Sequence, residues 1–253
     1  MRVHMLICGW LTSPMAAFME GAEGQIKAPI LAFLIEHPKG MVLFDTGMAR
    51  AVQSDPKGQL GPLLEVYKPD FQAGEDIAGR LESIGVDPEK VPLMVNSHLH
   101  FDHCGGNALI PNATQIVQRR EWDAMQEADV AKKEGLRKKL ADCGHARRLI
   151  DGEHDVFGDG SLTLLPTFGH SPGHQSLRLK NANGETIFTA DCCYFRKVLD
   201  TLTLPPFGHD LGAQREALLK LREMEAKGAT LIFGHDPDQA VQAAKTGVAL
   251  LSA

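Results

Sequence analysis

No apolar run in this 253-residue chain approaches the ~20 residues that a helix needs to cross a bilayer, so no membrane span is expected. A surplus of positive charge is missing too. The formal net charge is -6, which removes the ordinary reason to expect nucleic acid or an anionic membrane as partner. No low-complexity tract, linker or short-period repeat divides the sequence, so one domain over 1–253 is the expectation. The opening stretch MRVHMLICGWLTSP lacks the layout of a secretory signal and reads as an edge strand. Cysteine is sparse and odd in number: Cys8, Cys104, Cys143, Cys192 and Cys193. Without a secretion signal, that count points to free thiols in a reducing, cytoplasmic setting rather than to disulfides. Tyrosine is scarcer still, with two residues in the chain.

What remains is an ordinary globular composition, 43% hydrophobic and 23% charged, enough for a large core without staples. Histidine is the exception. Of eleven, His98, His100, His103, His170, His174 and His235 sit in short motifs rather than scattered.

The first half reads as strands. APILAFLIEH and MVLFDTG are apolar runs broken by the turn-rich HPKG, which predicts a hairpin. EDIAGRLESIG places Ile77, Leu81 and Ile84 at helical spacing and stops at Gly85. VPLMVNS is a buried strand leading into NSHLHFDHCGGN. The charged stretch RREWDAMQEADVAKKEGLRKKLADCG predicts one or two surface helices. SLTLLP, QSLRLK and ETIFTAD read as strands, the last two joined by the hairpin signal NANG. AQREALLKLREMEAKGA predicts an amphipathic helix, TLIFGHD a final buried strand, and an amphipathic tail follows. Two groups of strands, each followed by helices, suggest an α/β (α+β) architecture of two mixed sheets with helices outside.

Each histidine motif falls where a predicted strand ends. His98 and His100 are two apart, so in an extended segment their rings point to the same side. Asp102 and His103 follow in a tight turn and can face a second point nearby. Gly105 and Gly106 let the backbone turn sharply. The segment thus offers two adjacent half-sites. GHSPGH offers His170 and His174, FTADCCY offers Asp191, and IFGHD offers His235 and Asp236. A strand that ends in such a residue sets a ligand on rigid support at the sheet rim. Imidazole with carboxylate suits zinc, manganese or iron.

HLHFDH matches the HxHxDH signature of the metallo-β-lactamase superfamily. SHLHFDHCGGN, GHSPGHQSL, DCCY and GHD, in this order, resemble its N-acyl-homoserine lactonase branch. LFDTGM resembles that family's DTG strand end, and NATQIVQRREW the segment after its metal motif. The likeness extends over most of the chain. It implies an αββα sandwich with a dinuclear site at one edge. It implies His98, His100 and His170 as ligands of one divalent ion, and Asp102, His103 and His235 as ligands of the second. Asp191 would bridge them, and Tyr194 would be the active-site tyrosine. Zinc leads the metals the resemblance admits, with manganese, iron or cobalt accepted by the same ligands. The implied activity is hydrolytic opening of the lactone ring of N-acyl-homoserine lactones, a small-molecule substrate, with Asp102 passing a proton to the leaving oxygen. Departures are Cys104, where many lactonases carry a small residue or threonine, and DCCY in place of DA[SA]Y. Asp191 is preferred over its cysteine neighbours as ligand because Tyr194 then falls at the family's spacing.

Some positions keep two readings. His174 would overfill the first site, so it reads as a residue behind the ligands or as a packed histidine. Asp45 either orients a metal histidine or caps a turn. Cys104, Cys192 and Cys193 read as small buried fillers. Met15, Phe18 and Met19, in the segment Trp10–Ala28, are candidates for a pocket wall. His209 and the other isolated histidines carry no motif. Rival functions are hydrolysis of another small lactone, such as a pyridoxolactone, or of a thioester, and, from another class, a metal-stabilised binding module. No motif fixes the oligomeric state, monomer or homodimer.

Overall fold

The computed structural model describes residues 1–246 and 249–252, with side chains through residue 243. The chain order of strands is β1 (Arg2–Pro14), β2 (Gln25–His37), β3 (Gly40–Phe44), β4 (Lys68–Asp70), β5 (Leu93–Val95), β6 (Thr114–Gln118), β7 (Arg147–Ile150), β8 (His154–Asp155), β9 (Leu162–Pro166), β10 (Gln175–Asn181), β11 (Gly184–Phe188), β12 (Thr230–Ile232) and β13 (Ala249–Ser252). They form two mixed sheets. The larger runs β13-β1-β2-β3-β5-β6-β7, with β4 added against β1, and the smaller runs β12-β11-β10-β9-β8.

The apolar runs of β2 and β3 are continuous because both faces of the large sheet are covered. Alternate residues face the small sheet: Val3, Phe33, Val42 and Phe44 join Leu164, Leu177 and Phe188 in one core. The intervening residues Leu34, Leu43 and Met94 face outward, where Ile77 and Leu81 of the helix Ile77–Ser83 cover them. A third core lies under the helix Leu211–Ala226, whose Leu218 and Leu221 meet Ile187 and Leu231 of the small sheet. Each such side chain contributes about 1.5–3 kcal/mol by leaving water. Two sheets with helices on their outer faces is the expected αββα sandwich.

The predicted hairpins form, with His37 opposite Gly40 and Asn181 opposite Gly184. Three local expectations are corrected. β1 is no edge strand, because β13 returns from the far end of the chain and pairs with it antiparallel. For the same reason β12 is not the last strand; it is the edge of the small sheet. The charged stretch after β6 makes three short helices, Arg119–Gln126, Ala128–Glu134 and Lys138–Ala141. Extended Glu127 separates the first two, and left-handed Gly135 stops the second.

Candidate metal centre

Strands β3 and β5 run parallel, as do β11 and β12, and β9 shares the direction of β11 through β10. The loops after these five strands carry the motif residues: Asp45 after β3, His98 to His103 after β5, His170 after β9, Asp191 after β11 and His235 after β12. Ligand sites at the carboxyl ends of strands are a general property of such sheets.

The seven residues expected as ligands are brought together in two groups. One is His98, His100, His170 and Asp191; the other is Asp102, His103 and His235; within each, the candidate ligand atoms lie within 4.8 Å of one another. Asp191 stands between them. Its Oδ1 is 3.1 Å from His103 Nε2 and 3.0 Å from His235 Nε2. Its Oδ2 is 3.4 Å from His170 Nε2 and 3.9 Å from His98 Nε2. Asp102 Oδ2 lies 3.7 Å from His103 Nε2 and 3.9 Å from His235 Nε2.

The outward-facing nitrogens fix the tautomers. His100 Nε2 donates to the Glu134 carbonyl at 2.7 Å, His235 Nδ1 to the Pro29 carbonyl at 2.8 Å, and His103 Nδ1 to Asp45 Oδ2 at 2.9 Å. These partners only accept, so in each histidine the other nitrogen is the one turned inward as a candidate ligand. His98 follows suit: the Ser97 hydroxyl donates to Asp45 Oδ2 at 2.7 Å, so its oxygen accepts from His98 Nδ1 at 3.0 Å. In the first group His98 Nε2, His100 Nδ1 and His170 Nε2 lie 2.9 to 3.2 Å apart. In the second, buried His103 Nε2 and Asp191 Oδ1 make no hydrogen bond despite their proximity. Lone pairs that converge in a dry site repel unless a cation stands among them, so the donor set fits divalent metal in each group.

Electrostatics divides the groups. Burial, with the neighbouring rings, pushes His98 and His170 well below the ordinary histidine range. Burial opposes charge on His103 and His235 as well, but there Asp191 and Asp102 outweigh it, and both are raised. Burial alone would lift Asp191; His103 and His235 reverse this and hold it well below the usual carboxylate range.

Tyr194 is buried with its hydroxyl 3.0 Å from His170 Nδ1. Burial, then Asp191, pushes its pKa well above the ordinary phenol value, so it stays a hydrogen-bond donor. It lines a cavity of about 280 Å³ over the two groups, together with Asp102 and Asp191. Phe18 lines the same cavity, edge-on to Tyr194 at 5.1 Å. Met15 and Met19 do not border it; they pack in the core beside Phe18.

His174 lies outside both groups. It is buried, its Nδ1 is 2.9 Å from Thr167 Oγ1, its Nε2 has no partner, and burial lowers its pKa to about 3. Asp45 contacts His103 directly, as its orienting reading requires. Cys104, Cys192 and Cys193 are buried fillers.

Sequence reasoning missed several residues. Tyr67, Phe101 and Phe207 border the cavity, and only their aromatic character hinted at it. His209 Nδ1 sits 3.3 Å from the Glu134 carboxylate, above the carbonyl that holds His100. Glu121, taken as part of a surface helix, is fully buried against the loops after β5 and β9. A carboxylate on the apolar side of the helix, next to Trp122 and Met125, was the available signal.

Known proteins resemble this chain over most of its length. N-acyl homoserine lactonase AttM of Azorhizobium caulinodans is 35% identical over 246 residues, covering 94% of each chain. N-acyl homoserine lactonase AiiA of Bacillus thuringiensis subsp. kurstaki is 31% identical over 217 residues, covering 85% of this chain and 84% of that one. A solved N-acyl homoserine lactone hydrolase, with the product N-hexanoyl-L-homoserine at its catalytic metal centre, matches with a TM-score of 0.84 at 27% identity over 95% of both chains. The family model of the metallo-beta-lactamase superfamily matches residues 27–235, from β2 to the last histidine of the site. By its two sheets, the order of its motifs and this match across most of its length, the chain belongs to the metallo-β-lactamase superfamily.

Proposed function

We propose that this protein opens the lactone ring of N-acyl-homoserine lactones by hydrolysis, using two divalent cations, zinc first among them. The observation that carries the reading is Asp191, which offers one oxygen to each histidine group beneath an apolar-walled cavity. Full-length relatives named N-acyl homoserine lactonases supply the substrate class. His98, His100 and His170 would hold one ion, Asp102, His103 and His235 the other, and Asp191 both.

Bound divalent ions supply Lewis-acid polarisation of the ester carbonyl and bring the pKa of water from ~15.7 towards ~7. The protein supplies the rest. Phe18, Tyr67, Phe101 and Phe207 exclude water and receive the acyl chain. The Tyr194 hydroxyl donates to the oxygen that becomes negative as the carbonyl is attacked. Asp102, which borders the cavity, takes a proton from the attacking water and delivers it to the departing ring oxygen, since an unprotonated alkoxide leaves poorly. No described helix is long and apolar enough to cross a membrane. With the cysteines free, we assign the cytoplasm as compartment.

A lactone panel followed by pH-stat tests the reading. Acid release from acyl-homoserine lactones, absent from a thioester and a β-lactam and abolished by chelation in a protein that stays folded, is the expected result. Release only from another lactone would move the substrate. Unfolding on chelation, with no activity in the loaded protein, would replace the enzyme by a metal-stabilised module.

A further inference from the structure

Glu121 makes three hydrogen bonds from the helix Arg119–Gln126, with no exposed surface. Its Oε1 accepts from the Leu99 amide at 3.0 Å. Its Oε2 accepts from the Ser171 hydroxyl at 2.9 Å and the Gly173 amide at 2.5 Å. Leu99 lies between His98 and His100, and Ser171 follows His170. One carboxylate therefore ties together the two turns that supply all three histidines of the first group. It touches nothing in the second group, where His103 rests on Asp45 and His235 on the Pro29 carbonyl. The approach is close enough to need glycine: a Cβ at Gly173 would lie 2.6 Å from the Glu121 backbone nitrogen and Cβ. Burial pushes the Glu121 carboxyl pKa up, and the three donors oppose that shift by stabilising the anion.

We infer that Glu121 is a positioning residue. It sets the separation of the His98–His100 turn and the His170 turn, and so controls metal affinity at the first group selectively. Carboxylates that brace metal-bearing loops from behind commonly account for 10–100-fold in affinity. A residue serving general stability would not distinguish two sites that share Asp191.

The inference rests on the two-ion reading above, and zinc titration of the metal-free protein against a competing chelator separates the two. Wild type is expected to hold two ions. Glu121→Gln should weaken one of them roughly 10–100-fold and leave the other within about threefold. Adding His235→Ala to Glu121→Gln should then remove the remaining tight ion, identifying it as the one in the second group. Ser171→Ala deletes a single arm and should shift the same ion by several-fold; it carries the test if Glu121→Gln does not fold. Equal loss at both sites, or two unchanged affinities in whichever variant folds, would overturn the inference. A wild type that binds a single zinc counts against the two-ion reading, and the clamp then stands or falls on whether Glu121→Gln weakens that ion.

Discussion

Asp45 Oδ2 lies 2.9 Å from His103 Nδ1, and both side chains are buried. On the far side of the same ring, His103 Nε2 faces Asp191 Oδ1 at 3.1 Å. The imidazole is thus held between two carboxylates, and Asp45 decides which nitrogen faces Asp191. Asp45 reaches this position in the left-handed backbone region at φ 63, which aspartate tolerates better than most residues. Its other oxygen accepts from the Ser97 amide, which precedes His98. Asp45→Ala frees the His103 ring to rotate or change tautomer. Zinc affinity at the Asp102–His103–His235 group should fall 10–100-fold, read by chelator competition. Unchanged affinity would make Asp45 a turn residue only.

Tyr194 and His170 predict a different pattern. The phenol contacts the outer nitrogen of His170 and also borders the cavity. Tyr194→Phe keeps the ring against Phe18 and removes the donor. Turnover should drop roughly 10²–10³-fold, the usual consequence of losing a donor to a developing oxyanion. Metal content by atomic absorption should stay at the wild-type value. Loss of metal in step with turnover would mean the hydroxyl serves His170 rather than the substrate.

Legibility in the sequence tracked distance along the chain. The HxHxDH turn and both hairpins were readable because their partners lie within a few residues. The edge reading of β1 failed because its outer neighbour, β13, lies more than two hundred residues away. The ligands from separate strands were grouped by family resemblance; their separation along the chain carries no geometric information. Glu121 shows the remaining limit. Its three partners are 22 to 52 residues away, and nothing in RREW says which of its charges turns inward. The positions of the cavity aromatics Tyr67 and Phe207 depend on loops, whose course no periodicity encodes.

Tyr67, the chain's other tyrosine, borders the cavity edge-on to Phe18 at 6.3 Å. Burial raises its pKa above the ordinary phenol value, followed by Asp102 and Asp191, so it too remains a neutral donor. It sits on the wall and, unlike Tyr194, makes no hydrogen bond to His170. Tyr67→Phe should therefore raise KM for an acyl-homoserine lactone about three- to tenfold, the worth of one neutral hydrogen bond, with kcat little changed. A simple γ-lactone without the amide should be processed as by wild type. A fall in kcat on both substrates would place Tyr67 in the chemistry instead.

Away from the site, Asp76 caps the helix Ile77–Ser83 and gives a pH prediction. Its carboxylate accepts from the Gly79 amide at 3.2 Å and from Arg50 Nε and Nη2 at 3.0 and 2.8 Å. Burial works to raise its pKa, but the hydrogen bonds from Arg50 and Gly79 outweigh burial, and the net shift is downward. A carboxyl depressed in the folded state binds protons more weakly there than in the unfolded chain. The stability it contributes is present above the unfolded value of ~3.9 and is lost as pH falls through the folded value. Asn still caps a helix, so Asp76→Asn removes mainly the charge. Urea unfolding at pH 7 should show a loss of about 1–2 kcal/mol, kept small because Arg50 is half exposed. Near pH 3 the gap between wild type and Asp76→Asn should narrow, because below ~3.9 the carboxyl of the unfolded chain takes up its proton and the advantage of the folded anion shrinks. An equal gap at both pH values would show that the charge contributes nothing and that packing around Asp76 sets the cost.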